Sequence, residues 1–334
     1  MPIRTDSSIP DNIHACFDRT ALNRSPLSER DHDLNMSCIR TLEDTPITQK
    51  DFFTVADKIY RARKMDAPVI LMMGAHVIRS GVQPFIIDLM QKGYISCIAM
   101  NGAGVIHDYE FSLIGATTES VSRYIKNGKF GLWEETGIIN SIVKEGAGSG
   151  WGLGETVGKK IHEGIYPHKN ISLLAAGYRL GIPITVHVGI GYDIVFEHPN
   201  CDGAAYGATS YKDFLIFTRL LESLDNGVVM NFGSAIMAPE IFLKALSMAR
   251  NKALSDNRTI SRFTTLVCDL VSLPGDFRTE PDKENPFYYF RPWKTMLVRT
   301  VADGGESFYI KGKHEDTIPQ LWTAVMNKDK GRQV

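Results

Sequence analysis

Short apolar runs at residues 69–73, 95–100, 184–188, 228–232 and 264–270 recur along the chain with amphipathic stretches between them, and this alternation limits the fold more than any other feature. Each run is mostly apolar, as in strands covered on both faces, and too short for a bilayer span, which needs roughly 20 apolar residues. The stretches between them carry helical spacing. Phe52, Val55, Ala56, Ile59 and Tyr60 follow Thr48 and Asp51, which make a capping-box-like start. Residues 85–90, 173–178 and 214–224 read as helices, and Pro239-Glu240 opens another that runs to Ala249. Residues 295–301 and 308–311 read as further strands. The pattern predicts an α/β fold, a mostly parallel sheet with helices on both faces.

Residues 1–47 are polar without a sustained apolar period and read as an irregular arm, residues 48–327 as one α/β domain, and residues 328–334 as a polar tail. Length alone leaves two domains as the alternative. The 37 basic and 38 acidic side chains give a formal net charge of -1, so no basic excess exists to hold a nucleic-acid backbone. With 43% hydrophobic and 22% charged residues the composition is that of a globular chain, and no membrane partner is expected. The first residues show no apolar leader, which predicts a cytoplasmic address. Cys16, Cys38, Cys97, Cys201 and Cys268 are spread too widely for a zinc site and read as reduced thiols.

Glycines stand directly after the strands: Gly74 after the first run, Gly102 and Gly104 after the second, Gly189 and Gly191 after the third, Gly233 after the fourth. In open parallel sheets ligands bind beyond the carboxyl ends of the strands, where glycine admits close approach to a phosphate. Tight strand-to-helix turns need glycine too, so both readings stand. Polar residues gather at the same ends: His76, Arg79 and Ser80; Asn101, His107, Asp108 and Glu110; His187, Asp193, Glu197 and His198. Carboxylates there suit a cationic amine or acid–base work, while Asp108 and Glu110 equally suit the first turn of a helix. Residues 101–104 lack the third glycine of a dinucleotide fingerprint, and residues 154–160 have the wrong spacing for a nucleotide phosphate loop. The glycine-rich stretch 146–158 reads as a mobile loop. No metal site is predicted.

At these residues the chain resembles the deoxyhypusine synthase family. The family's Ser-Asn-Leu-Ile-Ser-Ser-Gly segment is similar to Ala75-His76-Val77-Ile78-Arg79-Ser80-Gly81, and its Thr-Ala-Gly-Gly-Val-Glu-Glu-Asp segment to Asn101-Gly102-Ala103-Gly104-Val105-Ile106-His107-Asp108. Its Asp-Gly-Ser-Leu-Gly-Asp-Met-Ile-Phe-Phe-His segment is similar to Val188-Gly189-Ile190-Gly191-Tyr192-Asp193-Ile194-Val195-Phe196-Glu197-His198. The resemblance implies a Rossmann-like fold, bound NAD, a homotetramer with sites between subunits, and transferase chemistry in which a polyamine is oxidised and its aminoalkyl group passed through a lysine imine. It implies Asp193 as the carboxylate that holds the amine, and cofactor contacts at Gly74, Ser80, Asn101, Gly102, Gly104, Asp108 and Gly189. His76, Glu197, Asp303 and Glu306 are candidate substrate contacts, with His198 a candidate catalytic residue. The family's catalytic lysine follows Trp-Gly, whereas Trp293-Lys294 is one residue short, so Lys294 is the candidate nucleophile with a solvated strand-entry lysine as the alternative. Val188, Ile106, His107 and residues 237–240 depart from the family pattern. Those departures turn the expectation from deoxyhypusine synthesis toward a related NAD-dependent reaction on a small amine or amino acid. The alternatives are an NAD-assisted amino-acid lyase or cyclodeaminase, and a non-catalytic ligand-binding homologue.

Overall fold

A computed structural model describes residues 16–331; the first fifteen residues of the arm and the last three of the tail lie outside them. The sheet strands are β1 (Val69–Met73), β2 (Cys97–Asn101), β3 (Ile184–His187), β4 (Val228–Phe232), β5 (Thr264–Asp269) and β6 (Glu306–Lys311). All neighbours are parallel, in the order β3-β2-β1-β4-β5-β6, with Ile70 opposite Val229 and Met72 opposite Ala99. That order reverses direction between β1 and β4, the switch point at which doubly wound sheets leave a crevice.

The inner strands show no alternation of polar and apolar residues because both faces are buried. Val69, Leu71 and Met73 point into one core with α1 (Asp51–Lys64), α2 (Gln83–Gln91), α3 (Gly102–Ile114), α4 (Ile138–Ser149), α5 (Leu153–Glu163), α6 (Leu173–Leu180) and α9 (His314–Asp329). Ile70 and Met72 point into the other, against α7 (Gly203–Leu221) and α8 (Met237–Ser255). The alternation of adjacent residues between the two cores is the two-residue period of a strand.

Three local expectations fail for identifiable reasons. Residues 295–301 form no strand: Trp293–Arg299 is a π-helix whose Trp293, Met296 and Leu297 pack on the second core at helical spacing. Thr48 does not cap α1, because its backbone N–H and its hydroxyl both donate to Gln320 of α9, and the cap position is Lys50. The stretch 146–158 is no loop but the end of α4 and the start of α5. A Cβ on Gly146 would lie 2.3 Å from Thr156 Oγ1, and one on Gly154 1.7 Å from the Ile184 carbonyl, so these glycines let helix pack on helix and on strand.

The outer edge of β3 is covered. Val186 donates its N–H to Asp213 of α7, Val188 donates to Ser210, and Ser210 donates in turn to the Val186 carbonyl. Asp213 also accepts from Gly154 at the start of α5, and burial pushes its pKa up to about 7 against these bonds.

Candidate functional site

At the switch point the ends of β1 and β4 close on each other. A Cβ on Gly74 would sit 2.5 Å from the Gly233 carbonyl oxygen, and one on Gly233, at φ +67°, would sit 2.2 Å from Nε2 of His314. His314 begins α9, far along the chain, so no local pattern marks it; its ring covers Gly233 and its buried Nδ1 has no hydrogen-bond partner. Burial and the nearby His76 lower its pKa, while Asp269 at the end of β5 raises it.

Of the glycines after β2 and β3, Gly102, Gly104 and Gly189 are likewise filled by the protein's own atoms, while Gly191, at φ +89°, faces open space. A Cβ on Gly102 would lie 2.2 Å from Asp193 Oδ2, on Gly104 3.0 Å from Met100 Sδ, and on Gly189 2.6 Å from the Tyr192 ring. Their freedom is spent on internal close approach, the plainer of the two readings. Asn101 caps α3 by accepting from Gly104 N–H, and the Ala103 N–H faces Asp193. The cofactor assignment of Asp108 needs correction: it is buried and points inward, accepting from the Ser172 hydroxyl and from the Leu173 and Leu174 N–H groups, so it caps α6.

Between the start of α3 and the loop after β3 lies a cleft of about 280 Å³. Its polar lining holds two arginines, Arg30 and Arg79, with Glu110, His107, Asp193 and Glu119. Arg30 comes from the arm and grips Glu110 with both guanidinium nitrogens, at 2.9 and 2.8 Å. Thr117 and Thr136 hydroxyls donate to the same carboxylate. Burial pushes the Glu110 pKa up, but the Arg30 charge and these bonds together bring it below the ordinary value. Because Thr117 gives its one hydroxyl proton to Glu110, it accepts from Nδ1 of His107 at 2.8 Å, which leaves His107 Nε2 bare. Burial holds that ring neutral, its pKa lowered to about 4.

Asp193 and Arg79 differ from that pair. Asp193 has no basic partner within 4.0 Å among the described residues, and burial raises its pKa to about 6 against the Ala103 N–H. Arg79 sits beside His76, 3.0 Å between Nη1 and Nε2, and its buried Nε has no partner. Glu119 is half satisfied: Oε1 accepts from Gly131 N–H, Oε2 is buried without a partner, and burial raises its pKa.

The remaining candidates lie apart from this cleft lining. Ser80 donates to the His76 carbonyl at the end of a short helix, His76–Arg79. Glu197 flanks Gly131, where Glu119 raises its pKa in addition to burial. His198 is fully buried and donates Nε2–H to the Gly131 carbonyl, which corrects its catalytic assignment to a structural one. Lys294 is 4% exposed, its Nζ 3.5 Å from the centre of the Tyr288 ring, in the π-helix that packs on the second core; it is not brought to Asp193. Asp303 and Glu306 stand at the amino end of β6, opposite the crevice, near Arg250 and Lys58 respectively. A parallel sheet puts those two rims a full strand length apart, so both substrate assignments are corrected. The sequence passed over Arg30, because nothing in an irregular arm marks one arginine as buried.

No protein-family model matches the chain, and no curated protein is similar to it. Solved structures are similar in fold. A mutant of AgrE in complex with L-arginine has a TM-score of 0.50 at 15% identity, over 85% of this chain and 34% of that one. AgrE has also been crystallised with ornithine and NAD+. A protein described as LOR/SDH from Methanococcus maripaludis has a TM-score of 0.50 at 15% identity, over 86% of this chain and 72% of that one. A protein described as a deoxyhypusine synthase from Entamoeba histolytica has a TM-score of 0.45 at 10% identity, over 84% and 89%. This chain spans about a third of the length of AgrE. The α/β fold with its mostly parallel sheet is shared with these neighbours. Among the described residues no helix is long and apolar enough to cross a membrane.

Proposed function

We propose that the chain is an NAD-dependent enzyme that oxidises a carbon bearing an amine. The observation that carries this reading is Asp193: a carboxylate in a cleft at the carboxyl ends of a doubly wound sheet, without a basic partner, whose pKa near 6 suits a base at neutral pH. The strand order leaves the cofactor's usual place at the β1–β4 switch point, and an orphaned buried atom there, His314 Nδ1, is free to meet a ligand. The backbone at Gly74 and Gly233, with Ser80 and His314, would hold NAD. When bound, NAD supplies a hydride acceptor.

Asp193 as a carboxylate attracts the substrate ammonium and takes one of its protons, since only the neutral amine carbon gives up hydride readily. His107, neutral with Nε2 bare, offers a second acceptor in the same cleft. The nearby solved structure of AgrE with ornithine and NAD+ is in keeping with amine chemistry on this fold.

The position of Lys294 favours a second reading over lysine-mediated transfer. A lyase or cyclodeaminase, in which oxidation is reversed after loss of ammonia, needs no nucleophilic lysine, and Lys294 is packed under Tyr288. The test begins with melting temperature against NAD concentration for the purified chain, where stabilisation grows with the logarithm of free ligand over Kd. Absence of stabilisation removes the cofactor reading and leaves a non-catalytic binding protein. Lys294→Met then separates the reactions: product formation retained supports hydrolysis or a lyase, and product lost with NAD binding intact restores transfer through an imine.

A further inference from the structure

Two opposite charges, Arg79 and Asp193, face one cleft without pairing, beside a second carboxylate, Glu119, that is held by the Gly131 N–H. Arg79 and Asp193 both line it, yet among the described residues neither forms an ion pair, with each other or with anything else. Arg30 and Glu110, in the same cleft, are each other's partner at 2.8 Å. Both side chains are half-buried, the guanidinium with a buried, unmet Nε–H and the carboxylate with only the Ala103 N–H against its charge; each costs stability, so a protein retains such an arrangement where a ligand completes it. His76, the one side chain bonded to Arg79, supplies no negative charge and leaves the guanidinium uncompensated.

We infer that the cleft takes a zwitterion, an α-amino acid, with Arg79 receiving the carboxylate and Asp193 the ammonium. This deepens the amine-oxidising reading and rests on it for the reaction, though not for the binding. It also departs from a polyamine substrate: an amine with no carboxylate leaves Arg79 unpaired and adds a like charge beside it. A guanidinium suits the role, because its planar fork meets a carboxylate through two N–H groups. Arg79 is a specificity-determining residue in this account.

The test uses the full chain and matched probes that differ only by the carboxylate: ornithine against 1,4-diaminobutane, lysine against 1,5-diaminopentane, leucine against 3-methylbutylamine. Thermal stabilisation is titrated for each, with and without NAD. At least one amino acid is expected to bind on the order of 10- to 100-fold more tightly than its matched amine, the worth of a charge-assisted bond at a buried site. Arg79→Gln should erase that preference while leaving stabilisation by NAD unchanged, and Arg79→Lys should restore part of it. Circular dichroism establishes that each variant is folded, and Arg79→Lys serves if the glutamine variant is not.

Amines that bind as well as the amino acids, or no binding by any amino acid, overturn the inference. So does an Arg79→Gln variant that loses NAD affinity and keeps its amino-acid preference, which would assign the guanidinium to the cofactor's phosphates. Amino-acid selectivity without any NAD binding leaves this inference standing and removes the proposed oxidation.

Discussion

Arg30 and Arg79 enter the same cleft and end in opposite states. Arg30, from the irregular arm, is buried with Glu110 between two threonine hydroxyls, and every part of that group is satisfied by protein. Arg79, on the turn after β1, leaves Nε unmet and shares the lining with an equally unpaired Asp193. One pair spends its charge on holding the arm to α3. The other keeps its charge for something that arrives.

The largest effect that would break this contrast is at Asp193. Asp193→Asn is expected to lower turnover of the accepted amine by about 10²- to 10⁴-fold, the usual worth of a general base. If the native chain turns over an amine as proposed, kcat/KM should rise as pH is raised through about 6, since the raised pKa leaves the carboxylate protonated below that point. A flat profile between pH 5 and 7 would take the proton transfer away from Asp193. Next in size, Arg30→Met strands a buried carboxylate and should cost about 3–5 kcal/mol in urea unfolding, against less than about 1 kcal/mol for Arg79→Met. Equal costs would mean that the two arginines play the same structural part.

Asp213 sharpens the distinction between burial for structure and burial for function. Its folded pKa, near 7, lies above the ordinary 3.8. The native chain therefore holds a proton that the unfolded chain gives up, and this group's contribution to stability is lost as pH rises from about 4 to 7. Asp213→Asn removes that dependence. Its stability relative to the native chain should thus improve across the same range, by on the order of 1–3 kcal/mol, whatever the offset from its lost backbone bonds. The smallest effect belongs to Asp303, exposed at the far rim near Arg250: Asp303→Asn should change stability by less than about 0.5 kcal/mol and leave amino-acid binding unaltered.

The sheet was legible because burial on both faces leaves a plain mark, a mostly apolar run with no polar face, and Val69–Met73 and Val228–Phe232 are strands at the predicted bounds. The π-helix was not, since a stretch rich in β-branched and apolar residues suits a strand locally and only the packing of Trp293 and Met296 decides otherwise. Asp193 could be placed from its position after a strand. His314 and Arg30 could not, because each reaches the site across a long chain separation that composition and spacing do not record. The strand-end glycines mark the right rim of the sheet, yet Asp193, Met100, Tyr192 and His314 occupy the space their missing side chains leave.

The covering of β3 by Asp213 and Ser210 bears on how copies of this chain meet. An open sheet of parallel strands offers its last strand as a template on which a neighbouring molecule can continue the ladder, the route to fibres and to swapped assemblies. Here the outward N–H groups of Val186 and Val188 already have donors' work to do within the molecule, and the Ile184 carbonyl lies under the backbone of α5. At that border sheet growth is closed, so association through it must proceed by side chains rather than by continuing the ladder.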